Sequence, residues 1–420
     1  MSINKMQCVY AFRADFTQRT PALGFLNFEE CFFTMGEWIG RGRKARRAYG
    51  FDEIAIVPGA LTINPDEVDS SWELGGKRYE IPIIAAAMDG VVDPNFAILM
   101  GKLGGLAILN LEGVWMRYDD PTDILKEIAQ ATPERATELV QMLYLPPVRE
   151  DLIARRISEI RAAGVSPIVS AIPQKAERCA AIAEEAGCEV FVVQSTVSTV
   201  RHIASAYKTL DLEHLIKGTK MKVMIGNCVS YETALELMEC KPAAVIIGIG
   251  PGAACTSRGV LGIGVPQVTA TVDGAAARDK FYTRTGVYVP IITDGGMNVG
   301  GDICKAFASG ADAVIVGSAF AKAEEAPGGG FHWGMATPHA NLPRGTRIRV
   351  GTSGTLEEIL YGPAHLDDGS QNLIGALRTC MGSVGAQTIR ELQRVEVCIA
   401  PAIKTEGKLF QKAQRIGMGK

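Results

Sequence analysis

The stretch GIGPGAACTSRG, residues 248–259, sets one thiol, Cys255, behind three alternate glycines, Gly248, Gly250 and Gly252. Two hydroxyls, Thr256 and Ser257, and the guanidinium of Arg258 follow at once. Residues without a Cβ let the backbone approach a ligand closely or turn carbonyls toward a cation. A cysteine in such a hydrated loop, near a guanidinium and helix-end N–H groups, gains thiolate character and attacks electrophiles. Cys255 is therefore the candidate nucleophile. Cys228 and Cys304 lie inside apolar stretches and read as core thiols.

A second constellation lies downstream. ITDGGM (292–297) and IVGSAF (315–320) each end an apolar run with glycine. Gly295, Gly296, Gly317 and Ser318 suit a phosphate site built from backbone N–H groups at two neighbouring loops and a helix start. Asp294 precedes the glycines; a carboxylate there repels phosphate but suits the two hydroxyls of a ribose. A phosphorylated nucleoside satisfies both features.

The elements that must carry these residues are short and apolar. Eight runs recur: 81–89, 105–111, 166–172, 190–195, 222–228, 243–250, 289–296 and 313–320. Each is rich in Val and Ile and too short for a core helix, so each reads as a fully buried strand. Helical patterns such as KAERCAAIAEEAG and SYETALELMEC separate most of them, and the phrases AGCEVFVVQS and SGADAVIVGS repeat one helix-end, turn and strand unit. Eight such units predict an α/β fold, a (β/α)₈ barrel forming one catalytic domain over 35–403. The chemistry of such barrels sits at the C-terminal ends of the strands. Those ends carry Met88, Gln194, Ser195, Asn227, the Cys255 loop, Asp294 and Ser318.

Residues 1–34 lack a clear period and read as a dispensable extension, and 404–420 as a basic tail. With 46 acidic and 43 basic residues the net charge of −3 gives no argument for nucleic acid or an anionic membrane. The basic run Arg41–Arg47 reads as a solvated face or a subunit contact. No apolar run reaches the roughly 18 residues a membrane helix needs. Ten cysteines without a CxxC pair, and five histidines without metal spacing, fit a reduced cytoplasmic chain. His332 and His339 lie in a short flap-like loop and read as surface residues.

GIGPGAACTSRGVLGIGVPQVTA together with ITDGGMNVGGDICKAFASGADAVIVGSAFA resembles the IMP dehydrogenase/GMP reductase family, as do FDEIAIVPG, AAAMDGVVD, MIGNCVSYETA and LIGALRTCMGSVGAQTIREL. The resemblance covers about residues 37–400. It implies a purine nucleotide, GMP or IMP, a nicotinamide cofactor, and a thioether between Cys255 and purine C2. It further implies Ser257 as a hydroxyl beside the nucleophile, in a place the family usually fills with Thr. Asp294 would lie at the ribose, Gly296, Gly317 and Ser318 at the phosphate, and Met88 against the purine. Asn227 falls near the nicotinamide, with Gln194 and Ser195 in the cofactor region. The carbonyls of Gly250, Gly252 and Cys255 match a monovalent-cation loop suited to K⁺. A homotetramer or homo-octamer is expected by the same resemblance.

The family's two reactions share the adduct and differ in its fate. A dehydrogenase oxidises IMP with NAD and must then activate water, which the family does with an Arg-Tyr pair on a flap. A reductase expels ammonia from GMP and delivers hydride from NADPH, giving IMP. No Arg-Tyr dipeptide lies between Gly317 and Ile374, and no regulatory insertion follows the second strand. Both omissions point to a GMP reductase. The acid for departing ammonia falls on Glu357, which could equally be an ordinary helix-start carboxylate. The alternatives are an IMP dehydrogenase whose base is, for example, Arg344 or His339, and a nucleotide-binding regulator without turnover.

Overall fold

The computed structural model describes residues 36–336, 344–401 and 407–417. The expected extension, 1–34, and His339 lie outside them. The chain divides into two units, Met1–Ala48 and Tyr49–Lys420. In the first, Glu37–Gly40 and Arg43–Ala45 form an exposed antiparallel hairpin that carries most of the basic run. Lys44 lies 5.1 Å from the Trp38 ring centre within it.

The second unit is a closed barrel of eight parallel strands. They are β1 (Ile83–Ala85), β2 (Leu106–Asn110), β3 (Ile168–Ala171), β4 (Val190–Gln194), β5 (Lys222–Cys228), β6 (Ala244–Ile247), β7 (Ile291–Asp294) and β8 (Ala313–Val316). Each falls within one of the eight apolar runs. Neighbours pair in chain order, and β8 closes on β1 with Val314 beside Ile83.

The runs are continuous because both faces of each strand are buried. Ile84, Leu106, Ile108, Val192, Met224, Ile246, Ile292 and Ile315 fill the barrel interior. Their chain neighbours, such as Ile83, Leu109, Val193, Ile225 and Val314, face the surrounding helices. A side chain that alternates faces at every residue leaves no polar position in such a strand.

A hairpin that the sequence patterns did not reveal, Trp72–Leu74 with Lys77–Tyr79, packs Trp72, Leu74 and Tyr79 into the same interior cluster. Trp72 Nε1 donates to the Ile81 carbonyl at 3.1 Å, just before β1. Lys77 reaches Glu189, immediately ahead of β4, so the hairpin plugs the end of the barrel opposite the strand C-termini. Between β7 and β8 a second buried group ties the frame. Arg278 donates to Asp312 at 2.9 Å, and Asp312 also accepts from Ile291 N, Tyr288 and Gln393.

Three helices, Thr122–Gln130, Pro133–Leu143 and Glu150–Ala162, occupy the long interval after β2. After β8, Phe331–His332 pairs antiparallel with Ile348–Arg349. Arg347 stacks over Phe331 at 4.4 Å and its guanidinium takes the carbonyls of Ile128, Ala129 and Ala131 at the end of the first of those helices. The C-terminal tail contains the helix Lys408–Gln414. Among the described residues no helix is long and apolar enough to cross a membrane.

Candidate active site

The C-terminal ends of the strands open into a cavity of about 390 Å³. It is lined by residues from all eight strand ends and by the segment after β8. Of the residues singled out from the sequence, Met88, Gln194, Ser195, Asn227, Gly250, Gly252, Cys255, Ser257, Asp294, Gly295, Gly296, Gly317 and Ser318 all line it.

The cysteine loop leaves β6 through Gly248, whose φ of +148° disfavours any side chain. A Cβ there would also strike the Asp294 carbonyl and the Gln267 amide. Gln267 Nε2 donates to the Ile247 carbonyl at 2.7 Å and to the Asp294 carbonyl at 3.3 Å, binding the ends of β6 and β7 together. The exposed Cys255 donates its N–H to the Gly252 carbonyl (3.1 Å), and its Sγ lies 3.4 Å from the buried Ser257 hydroxyl. Of the carbonyls expected to hold a cation, that of Gly252 thus already takes a protein donor. Arg258 turns from the thiol toward the loop backbone. It donates to the carbonyls of Ile249 (3.1 Å) and Val265 (2.7 Å), so its part is to fix the loop's shape.

Asp294 ends β7 and is half-buried. Its Oδ2 accepts from Asn227 Nδ2 at 2.7 Å and from Gln194 Nε2 at 3.3 Å. Asn227 is held in turn by the Gly248 carbonyl (2.8 Å) and by Gln194 (3.2 Å). Burial raises the Asp294 carboxyl from 3.8 to about 6, against the Asn227 hydrogen bond that lowers it. At neutral pH it is an anion with Oδ1 left for a ligand. Ser195 Oγ is engaged with the Val197 carbonyl and Ser198, while its backbone carbonyl accepts from Asn227 N–H at 3.1 Å, so the three expected cofactor residues form one bonded patch beside Asp294.

The glycine loops of β7 and β8 lie side by side. Gly295 and Gly296 both take φ of +81°, with Pro251 of the cysteine loop packed against them. Gly295 N–H is engaged with the Ile315 carbonyl at 3.1 Å, which removes it as a phosphate donor. The N–H groups of Gly296, Gly317 and Ser318 meet no acceptor among the described residues. Met88 packs across Gly317, where a Cβ would lie 3.0 Å from its sulfur. His332, expected at the surface, is 1% exposed and walls the cavity. Burial pulls its pKa down to about 4.

Opposite these loops stand residues that no sequence motif marks. Glu112, two positions beyond β2, lines the cavity with Lys175 Nζ 3.9 Å from its carboxylate. Tyr144, at the end of the inserted helix Pro133–Leu143, hydrogen-bonds Asp89 and accepts from Trp333 Nε1 at 2.8 Å. Burial raises the Asp89 carboxyl to about 6, opposed chiefly by that Tyr144 bond. Arg344 enters from the post-β8 segment. Its carbonyl accepts from Gln141 at 2.9 Å, and the next residue, Gly345, donates to the Met335 carbonyl at 2.9 Å. Burial lowers the Arg344 pKa from its ordinary value, and the nearby charge of Glu112 opposes that shift.

Glu357 is not brought to the site. It is exposed in the first turn of the helix Leu356–Tyr361 and does not line the cavity. Its neighbour Glu358 closes a capping box with Thr355 and faces His365 at 3.7 Å. The helix-start reading of these acids is the one the structure supports. Glu112 had a legible signal, since it follows directly on a predicted strand end. Tyr144, thirty-odd residues further on, had none.

Residues 48–408 match the family model of the IMP dehydrogenase/GMP reductase domain. An uncharacterized oxidoreductase of Mycobacterium leprae is 39% identical over 371 residues, 86% of this chain and 99% of its own length. The inosine-5′-monophosphate dehydrogenase of Cryptosporidium parvum is 29% identical over 388 residues, covering 81% of this chain and 89% of that one. The crystal structure of an IMP dehydrogenase/GMP reductase-like protein from Corynebacterium glutamicum superposes with a TM-score of 0.83 at 33% identity, over 89% of this chain and 100% of that one.

Proposed function

Because the chain belongs to the IMP dehydrogenase/GMP reductase family of oxidoreductases, we propose that it is an IMP dehydrogenase, with IMP as substrate and Arg344 as the residue that activates water. The observation carrying this reading is that Arg344, its pKa lowered by burial, lines the same cavity as Cys255, while the acid required for ammonia loss, Glu357, does not. The absence of an Arg-Tyr dipeptide, which favours a reductase in the sequence alone, loses its force once a guanidinium from elsewhere in the chain reaches the cavity.

The nucleotide's phosphate is assigned to the free N–H groups of Gly296, Gly317 and Ser318, and its ribose to Asp294 Oδ1. Met88 lies under the base. Cys255 adds to C2 and its S–C bond forms as the C2 hydrogen departs with its electron pair. NAD⁺, when bound beside Gln194, Ser195 and Asn227, supplies the acceptor for that hydride. The cavity continues past Cys255 to the ends of β4 and β5, where these residues stand. Water oriented by Arg344 then attacks C2. Its proton passes to the Arg344 side chain, which acts as base in the neutral form that burial favours, the S–C bond breaks, and Cys255 leaves as thiolate with XMP formed. The Ser257 hydroxyl, 3.4 Å from the Cys255 sulfur, stands beside it to donate to the thiolate. The same reading carries a monovalent cation at the carbonyls of Gly250, Gly252 and Cys255, where it would hold the loop's shape.

One observation favours the reductase as a second reading: Glu112 is a carboxylate in the cavity wall. Against it, Glu112 faces Lys175 and Arg344, which suits a counter-ion better than a proton donor.

The test is nicotinamide absorbance with two substrate pairs. IMP with NAD⁺ should yield NADH and XMP, abolished in Cys255→Ala. Arg344→Ala should still release NADH in a single burst and then stall with a purine adduct on the Cys255 peptide, visible by mass spectrometry. NADPH consumption and ammonia release from GMP, with silence toward IMP, would overturn the proposal in favour of the reductase.

A further inference from the structure

One buried ring takes no part in these steps. His332 lies in the strand Phe331–His332, walls the cavity, and sets its Nε2 3.1 Å from Ser318 Oγ. Its other nitrogen, Nδ1, is buried with no hydrogen-bond partner among the described residues. The ring is fixed from behind: Trp333 is bonded to Tyr144, and Arg347 stacks on Phe331. We propose that His332 is a positioning residue of the phosphate subsite, whose Nε2–H holds the Ser318 oxygen so that the Ser318 hydroxyl proton is presented to a phosphate oxygen. This rests on the assignment of the nucleotide phosphate to Gly296, Gly317 and Ser318.

The direction of the bond follows from counting donors. The ring is neutral at neutral pH, because burial opposes its charge, so only one nitrogen carries a proton. A proton on Nδ1 would bury an N–H with no acceptor. It would also force Ser318 to donate to Nε2, turning its only proton away from the ligand. A proton on Nε2 leaves a bare lone pair at Nδ1 instead, the less costly orphan. Ser318 Oγ then accepts from the ring and its O–H is free for the cavity. A dianion can take this hydroxyl together with the three free backbone amides. A nucleoside lacking the phosphate leaves all of them without an acceptor, and a site with unpaired buried polar groups rejects such a ligand strongly. His332 thereby sharpens the choice of nucleotide over nucleoside without contributing a charge.

Calorimetric titration with IMP and with inosine tests this. The native protein should bind IMP far more tightly than inosine. His332→Ala should weaken IMP about tenfold, the worth of one hydrogen bond to a charged oxygen, and leave inosine unchanged. Ser318→Ala should cost about as much, and the double variant no more than either single one. His332→Gln, whose amide N–H reaches the same place as Nε2–H, should recover IMP affinity. Equal losses for IMP and inosine in His332→Ala, or additive losses in the double variant, would overturn the role. Nitrogen-15 spectra of the native protein give the tautomer with no substitution: a protonated Nε2 is expected, and a protonated Nδ1 refutes it. If the native protein binds inosine as tightly as IMP, the phosphate assignment itself fails, an outcome distinct from failure of His332 alone.

Discussion

Asp294 is held at a cost to stability, and the size of that cost can be worked out. Burial raises its carboxyl from 3.8 to about 6, while an unfolded chain leaves it near the lower value. A folded pKa above the unfolded one favours folding only where the group is protonated. That favour is complete below the unfolded pKa and is lost as pH rises through about 6. At pH 8 the ionised carboxylate therefore costs about 3 kcal/mol, because each tenfold change in acidity is worth roughly 1.4 kcal/mol. At pH 5 the same linkage leaves a cost of about 1.5 kcal/mol. Asp294→Asn removes the charge and keeps an acceptor oxygen for Asn227 and Gln194. It should raise the melting temperature by several degrees at pH 8 and by about half as much at pH 5. The same variant should bind IMP ten- to a hundredfold more weakly, because charge-assisted bonds to the ribose hydroxyls are each worth about 1.5–3 kcal/mol. Differential scanning fluorimetry at the two pH values and one titration suffice. A variant no more stable than the parent at pH 8, or a gain that does not shrink at pH 5, would refute the reasoning. On the proposed reading, such a residue trades stability for a contact that the ligand needs.

Other outcomes follow from the same geometry. IMP affinity of the native protein should fall as pH drops below about 6, as Asp294 protonates and loses its acceptor character; a titration series from pH 8 to 5 reads this. Asp312→Ala strands the buried Arg278 together with the donors of Ile291, Tyr288 and Gln393, and should cost about 3–5 kcal/mol in urea unfolding; a loss under about 1 kcal/mol would sink that account. Gly113→Ala would drive a methyl group into the Asp89 carboxylate, and should lower stability and release Tyr144, seen as a drop in melting temperature and altered tyrosine fluorescence. Arg258→Ala should leave the fold intact and slow adduct formation at Cys255, because the loop loses the fork that joins Ile249 to Val265.

What could be seen in advance follows a physical division. The barrel was legible because each strand, buried on both faces, writes itself as an unbroken run such as AVII or AVIV, and the runs recur with helical text between them. The glycine-loop side of the cavity was legible for a related reason. Its groups sit within three residues of a strand end, so the sequence order of Asp294, Gly296, Gly317 and Ser318 is also their spatial order. The opposite wall was legible only in part. Glu112 and Tyr144 reach the cavity from the connection between β2 and β3 and Arg344 from the segment after β8, and only closure of the barrel makes them neighbours. Glu357 was chosen as an acid near the place where the family resemblance sets its own, and the first turn of the helix Leu356–Tyr361 instead carries that side chain into solvent, as the helix-start reading had it. The plugging hairpin escaped for another reason. Its strands are three residues each, too short for alternation to show, and its role depends on Trp72 and Tyr79 meeting an interior that exists only after folding.

The meeting of β8 with β1 has a kinetic consequence. Val314 and Ile83 are adjacent across this seam yet lie at opposite ends of the barrel's chain, so joining them carries the largest loop-closure entropy of any pair of neighbouring barrel strands. Contacts of such high sequence separation form late. Met88, following β1, lies over Gly317, following β8, so a purine nucleotide held between them spans that seam. A ligand that clasps late-forming contacts has little to hold in the folding transition state and much to hold in the native one. Its effect should therefore fall on the rate of unfolding: the nucleotide would slow the opening of the barrel while leaving its assembly no faster.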